Sequence, residues 1–118
     1  MPDPRGETVV SLLRRAASEL LAAQILAEEG EKMEASVVFH AQRAAENALA
    51  AFLATRGAPA RVKNLPGLLQ EVRAFLPAFA QVRLDALKTP ATALAEARRI
   101  LALVTDNLPS GMGKAVKG

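Results

Sequence analysis

Residues 31–57 read EKMEASVVFHAQRAAENALAAFLATRG, and their pattern is the strongest indication of the fold. The apolar residues recur at steps of three and four, the spacing that places side chains on one face of an α-helix. The predicted core stripe consists of Val38, Ala41, Ala45, Ala48 and Phe52. Because most of these residues are alanines, a neighbouring helix can approach closely. We therefore expect a long helix from Glu31 to Thr55, ended by the glycine of Arg56-Gly57.

Glycine and proline mark the limits of two further helices on either side of this one. Periodic apolar residues predict a helix over residues 8–29, which Gly30 stops. A third helix is expected to begin at Asn64, whose side-chain oxygen can accept hydrogen bonds from the first turn. Pro66 suits that first turn, where a missing amide costs little. Pro77 should end or kink this helix.

The last third of the chain predicts two more helices. A short one is expected over residues 78–87, and Thr89-Pro90 has the threonine-then-proline pattern of a helix start. The final helix should end near Leu108. We therefore predict an all-α fold, an up-and-down antiparallel helical bundle of four to five helices over residues 1–108. Residues 109–118 are expected to form a flexible C-terminal tail.

The composition of the 118 residues excludes several kinds of site. The chain has no cysteine and one histidine. Disulfides, thiolate nucleophiles and iron–sulfur clusters are therefore excluded, as is any metal site that needs two histidines. We expect no metal and no cofactor.

The charge and hydropathy of the chain say less about its partners and its location. The formal net charge of +3 suits RNA, a nucleotide or an acidic protein, and selects none of them. No apolar run approaches the roughly 18 residues that a membrane span needs, and the N-terminus lacks the layout of a signal peptide. We expect a cytoplasmic protein that does not bind membranes.

Polar residues of the second helix are the first candidates for function. One stripe consists of Lys32, Ser36, His40, Arg43 and Asn47. His40 is the readiest general acid or base in the chain, although a lone histidine on a polar helix face is most often solvated. Catalysis and contact with a ligand or nucleic acid are the alternatives. Gln42 and Glu46 share another line with Phe39, Leu49 and Leu53, which should be at least half buried. This pair either grips a ligand or a second subunit, or reaches water from the edge of the core.

A basic cluster precedes the third helix. Arg56, Arg61 and Lys63 lie close in sequence to Asn64, which stands at the helix N-terminus. Positive charge, side-chain donors and the helix dipole would together suit an anion. The alternative is a solvated loop, where lysine and arginine are common.

Residues 39–53, FHAQRAAENALAAFL, resemble the signature second helix of HEPN domains (higher eukaryotes and prokaryotes nucleotide-binding). That family typically reads Phe-His-Ala-Gln-Gln-Ala-Ala-Glu-Lys-Ala-Leu-Lys-Ala, followed by a glycine-containing loop and a short leucine-rich helix. This chain continues in the same order with Arg56-Gly57 and then Leu65, Leu68 and Leu69. The likeness covers about residues 8–76. It implies a helical, usually dimeric domain of bacterial defence, stress or toxin–antitoxin systems, often beside a minimal nucleotidyltransferase.

The departures from the family pattern bear on activity. Many members are metal-independent ribonucleases with an Arg, four to six residues, then His motif late in the chain, and no histidine follows His40 here. Lys63-Asn64-Leu65 stands where the family commonly has His-Asp-Leu, and Asn47 and Ala50 replace two lysines. The matching residues are Phe39, His40, Gln42 and Glu46, which the resemblance assigns to a nucleotide or subunit contact.

We therefore expect a HEPN-like module that binds a nucleotide, RNA or protein and is not an enzyme. It is expected to form a homodimer and to partner a nucleotidyltransferase. The expected contact residues are His40, Gln42, Arg43, Glu46, Asn47, Lys63 and Asn64. One alternative is a ribonuclease toxin with an atypical active site built from His40, Arg43 and Glu46. Another is a structural subunit that dimerises through its helices.

Overall fold

A computed structural model describes residues 4–58 and 64–108, and every regular element within these ranges is helical. The helices are α1 (Pro4–Ala27), α2 (Glu34–Thr55), α3 (Leu65–Arg73), α4 (Leu84–Lys88) and α5 (Pro90–Asp106). One 3₁₀ turn, Glu31–Met33, lies between α1 and α2, and another, Pro77–Gln81, lies between α3 and α4. The predicted all-α bundle is confirmed. The predicted tail, residues 109–118, lies outside the described residues.

α2 is the central helix and packs against the other four. Ten of its 22 residues are buried, and five of them are alanines: Val37, Ala41, Ala44, Ala45, Ala48, Leu49, Ala51, Phe52, Leu53 and Thr55. The predicted core stripe is confirmed except at Val38, which is half buried because Val37 takes the inward place. α1 runs antiparallel to α2, since a short connection joins them and Glu19 in the second half of α1 contacts His40 in the first half of α2. None of the described helices is long and apolar enough to cross a membrane.

α2 ends where the sequence predicts, in a glycine-based cap. Gly57 has a φ of 68°, a conformation that glycine adopts without strain. Its amide donates to the carbonyl of Ala54 at 3.1 Å, and the amide of Ala58 donates to the carbonyl of Leu53 at 3.0 Å. This pair of bonds is the Schellman motif, which satisfies carbonyls of the last helical turn.

The connection between α1 and α2 is longer than predicted. α1 ends at Ala27 instead of residue 29, and the 3₁₀ turn Glu31–Met33 precedes α2. Gly30 lies between them with φ 95° and ψ −166°, so it acts as a link within the connection and not as the last-turn cap of α1. The chain reverses direction here, and reversing between two antiparallel helices takes several non-helical residues.

Asn64 caps α3 as predicted, because its Oδ1 accepts from the amide of Gly67 at 2.8 Å. α3 ends earlier than expected, at Arg73, and the helix predicted over residues 78–87 is wrong as a single element. A 3₁₀ turn and the five-residue α4 stand there instead. Extended backbone at Leu76, just before Pro77, and again at Val82 and Arg83 separates these pieces.

The aromatic cluster of the core anchors this irregular segment. Phe79 is fully buried and meets Phe52 of α2 edge to face, with ring centroids 5.0 Å apart. The ring centroid of Phe75 lies 6.4 Å from that of Phe52, also in an edge-to-face arrangement. The segment is therefore held by aromatic packing on α2, which is favourable beyond the area that it buries.

A hydrogen bond ties the residue that precedes α4 to α5. Glu96 is buried, and its Oε2 accepts from the backbone amide of Arg83 at 2.8 Å, immediately before α4. Thr89 occupies the predicted N-cap position of α5, but its hydroxyl donates to the carbonyl of Asp85 and caps nothing in α5. Glu96 therefore links α5 to the start of α4, although it is 13 residues away from Arg83 in the sequence.

We expect Glu96→Ala to lower the free energy of unfolding by about 2 kcal/mol, because a charge-assisted hydrogen bond to a backbone amide is lost. Urea denaturation followed by circular dichroism measures this. Glu96→Gln retains an acceptor oxygen and should cost clearly less. Equal losses in the two variants would contradict the proposed role of Glu96 as the acceptor that links Arg83 to α5.

Candidate functional site

α2 leaves one narrow strip uncovered. Beyond its first two residues only Phe39 and Arg43 are exposed, and the half-buried Glu46 and Ala50 continue the same line. We call these four residues the outer strip. Phe39 is 54% exposed, which corrects the expectation that it is at least half buried. The reason is that α4 ends at the level of Gln42, one turn short of Phe39.

On the α1 side of the strip, Glu19 contacts two of the predicted residues, His40 and Arg43. Its Oε2 lies 3.1 Å from Nδ1 of His40 and 3.3 Å from Nε of Arg43. The Arg43 guanidinium also lies 5.5 Å from the centroid of the Phe39 ring, a cation–π distance. Sequence reasoning missed Glu19, because its place beside His40 depends on the register of α1 against α2. The carboxylate orients the imidazole and ties both side chains to α1.

On the other side of the strip, a cleft opens between α2, the start of α3 and α4. Its cavity of about 220 Å³ is lined by Gln42, Glu46, Asn64, Leu65, Pro66, Leu84 and Lys88. We call it the α2–α4 cleft. The side-chain amide of Gln42 donates to the carbonyl of Leu87 at 3.2 Å, which fixes α4 against α2. The cleft thus combines a carboxylate, a lysine, amides and an apolar wall.

Glu46 borders both the strip and the cleft. Partial burial raises the pKa of its carboxyl group, and the positive charge of Arg43 offsets part of that rise. A carboxylate in such a place gains from a further hydrogen-bond donor or cation. Glu46 is therefore the side chain of the cleft that is most ready to accept from a ligand or a partner.

The predicted contact residues thus fall into two groups. Gln42, Glu46 and Asn64 line the cleft, whereas His40 and Arg43 meet at Glu19. Asn47 is half buried, one turn beyond Arg43. Lys63 lies outside the described residues, as does Arg61. Lys88 and Leu84 join the cleft although no spacing pattern pointed to them, because the fold of the irregular segment brings them to α2.

The described residues give little support to the predicted anion site before α3. The side-chain oxygen of Asn64 already accepts from the amide of Gly67, and Pro66 has no backbone N–H that could donate to an anion. Arg56 lies over the Phe52 ring at 4.8 Å, about 15 Å along α2 from Glu46. The structure therefore does not bring Arg56 to the α3 N-terminus. Within residues 4–58 and 64–108, no cluster of three or more acidic or histidine side chains could hold a metal ion.

We expect Glu19→Ala to lower the free energy of unfolding by about 1 kcal/mol, because two partly buried contacts to α2 are lost. A double-mutant cycle with Arg43→Ala, measured by urea denaturation, should give a coupling of about 0.5–1 kcal/mol. Arg14→Ala, an exposed change on α1, is the control and should alter stability little. A coupling of zero would contradict the Glu19 cluster.

Comparison with known families extends the likeness to nearly the whole fold. The family model of the HEPN domain matches residues 9–106, from the buried Val9 of α1 to the end of α5. No similar curated protein and no similar solved structure was found. The match includes all five helices, the outer strip and the described part of the α2–α4 cleft. This chain therefore belongs to the HEPN domain family.

Proposed function

We propose that this HEPN domain is a cytoplasmic, non-catalytic module that binds a nucleotide, free or within RNA, in the α2–α4 cleft. The observation that carries the proposal is the convergence of Glu46, Gln42 and Lys88 beside the apolar side chain of Leu84. A lysine suits a phosphate group, and carboxylate and amide groups suit ribose hydroxyls and base edges. An apolar wall with a few placed polar groups is the usual design of a small-molecule site.

Two observations favour binding over catalysis. The only histidine is His40 on α2, so the family's late Arg-then-His motif is absent from the sequence. The residues of the alternative centre also diverge, because His40 and Glu46 lie about 120° apart around α2 and about 9 Å apart along its axis. His40 faces Glu19 of α1, whereas Glu46 faces the cleft. This separation of His40 from Glu46 supports a binding role over the alternative catalytic centre.

Membership of the HEPN family also supports the proposed ligand, because a HEPN domain suggests a nucleotide- or RNA-related function. The domain is further proposed to partner a minimal nucleotidyltransferase in a toxin–antitoxin or stress-defence system. A nucleotidyltransferase gene beside this one, and a complex of the two products on co-expression, are the results expected.

Binding is tested with two probes, ATP by calorimetry and a fluorescein-labelled 12-residue single-stranded RNA by anisotropy. At least one should bind, and Lys88→Ala should weaken that binding about tenfold, the effect of about 1.4 kcal/mol. Arg98→Ala removes one positive charge from the exposed side of α5 and is the matched control. Equal weakening by both variants would mean that net charge alone drives binding. Failure of both probes to bind would overturn the proposal.

The non-catalytic part has its own test. The same RNA incubated with purified protein should stay intact over hours, as judged by denaturing gel electrophoresis. His40→Ala serves as the control for contaminating nuclease. RNA cleavage by the natural chain that disappears in His40→Ala would show that this domain is a ribonuclease.

A further inference from the structure

The polar groups of the α2–α4 cleft divide into acceptors on α2 and a positive charge on α4. Gln42 and Glu46 lie one turn apart on the same side of α2, about 6 Å along its axis. The side-chain amide of Gln42 donates to the carbonyl of Leu87, which leaves its Oε1 free to accept. That bond also brings Lys88, the next residue, close to the level of Gln42. A carboxylate therefore lies one helical turn beyond the lysine.

Glu46 is the member of this wall whose two acceptor oxygens are both unused. Among residues 4–58 and 64–108, none makes a hydrogen bond or a salt bridge to its carboxylate. Partial burial raises the pKa of the carboxyl group, and Arg43 offsets only part of that rise, so added donors would stabilise the carboxylate. An ionised carboxylate can only accept, and it does so through two neighbouring oxygens. Two neighbouring O–H donors therefore suit it.

We propose that Glu46 binds the 2′- and 3′-hydroxyls of a ribonucleotide whose phosphate lies on Lys88. This role of Glu46 rests on the proposed function, and it names what the cleft recognises. The two hydroxyls form a cis-diol, and each can donate to one oxygen of the carboxylate, in charge-assisted hydrogen bonds. Acidic side chains hold ribose hydroxyls in dinucleotide-binding folds as well.

The dimensions of the cleft favour the sugar over the edge of a base as the group on Glu46. The cavity of about 220 Å³ is smaller than the roughly 300–1,000 Å³ of most small-molecule sites, so it encloses only part of a nucleotide. Glu46 and Lys88 are about one helical turn apart, and the ribose hydroxyls lie closer to the phosphate of a nucleotide than its base edges do. The apolar side chains of Leu65, Pro66 and Leu84 are then left for the base.

The requirement for both hydroxyls limits which ligands fit. DNA and deoxyribonucleotides lack the 2′-hydroxyl, the group by which proteins distinguish RNA from DNA. Within an RNA chain, every 3′-oxygen except the last is bonded to a phosphate. Only a free ribonucleotide or the 3′-terminal nucleotide of an RNA therefore presents the whole cis-diol to Glu46.

Two sets of ligands test this selectivity on the natural chain. Calorimetry compares ATP with 2′-deoxy-ATP and 3′-deoxy-ATP. Anisotropy compares a 5′-fluorescein-labelled 12-residue RNA that ends in a 3′-hydroxyl with the same RNA ending in a 3′-phosphate. In whichever set binds, loss or blocking of a hydroxyl should weaken binding at least tenfold, because the acceptor is left without its donor. The set that binds shows whether the ligand is a free ribonucleotide or an RNA end.

Equal binding of ATP and its deoxy analogues, or of the two RNAs, would overturn the role of Glu46 and leave the proposed nucleotide site standing. If neither ATP nor RNA binds, the proposed function fails and the role of Glu46 fails with it.

Variants separate a direct ribose contact from a general loss of affinity. Glu46→Gln keeps the size of the side chain, and it should bring ATP and 2′-deoxy-ATP to nearly equal affinity. Lys88→Ala should weaken both by the same factor, because its contact is to the phosphate. Glu28→Gln, an exposed change just beyond α1, is the matched control and should alter neither affinity. A preference for ATP that survives Glu46→Gln, in protein shown by circular dichroism to be folded, would overturn the role of Glu46.

Discussion

The close packing of the alanine face of α2 is the interaction on which the rest of this domain depends. Ala41, Ala45 and Ala48 are completely buried, and their short side chains let α1 and α5 lie close to the central helix. That proximity brings Glu19 within reach of His40 and Arg43. Because four helices pack against α2, Phe39 and Arg43 are the only residues beyond its first two that stay exposed. The packing therefore selects which side chains are free to act.

Regular spacing and local capping made much of this fold predictable. The core stripe of α2, the glycine cap at Gly57 and the Asn64 cap follow from short stretches of sequence, because each depends on neighbours within one or two turns. Glu19, Lys88 and Glu96 escaped prediction because their contacts join helices that are distant in sequence. The exposure of Phe39 escaped for a related reason, since it depends on where α4 stops.

The candidate site was predicted as a set of residues and not as a geometry. Most of its members were identified on α2, but only the structure separates the Glu19 cluster from the α2–α4 cleft. This separation changes the functional interpretation. His40 is fixed by a carboxylate on one side of the helix, while Glu46 faces the other side, where α3 and α4 complete a pocket. We infer that α2, as the central helix, carries the residues of a binding surface on its cleft side.

The proposed function places the ligand on the cleft side of α2. Amide chemical-shift mapping of the ¹⁵N-labelled protein during an ATP titration tests this placement. The largest shifts are expected at Gln42, Glu46, Leu84 and Lys88, with little change along the exposed side of α5. Shifts concentrated at Arg98 and Arg99, with the cleft residues unmoved, would contradict it.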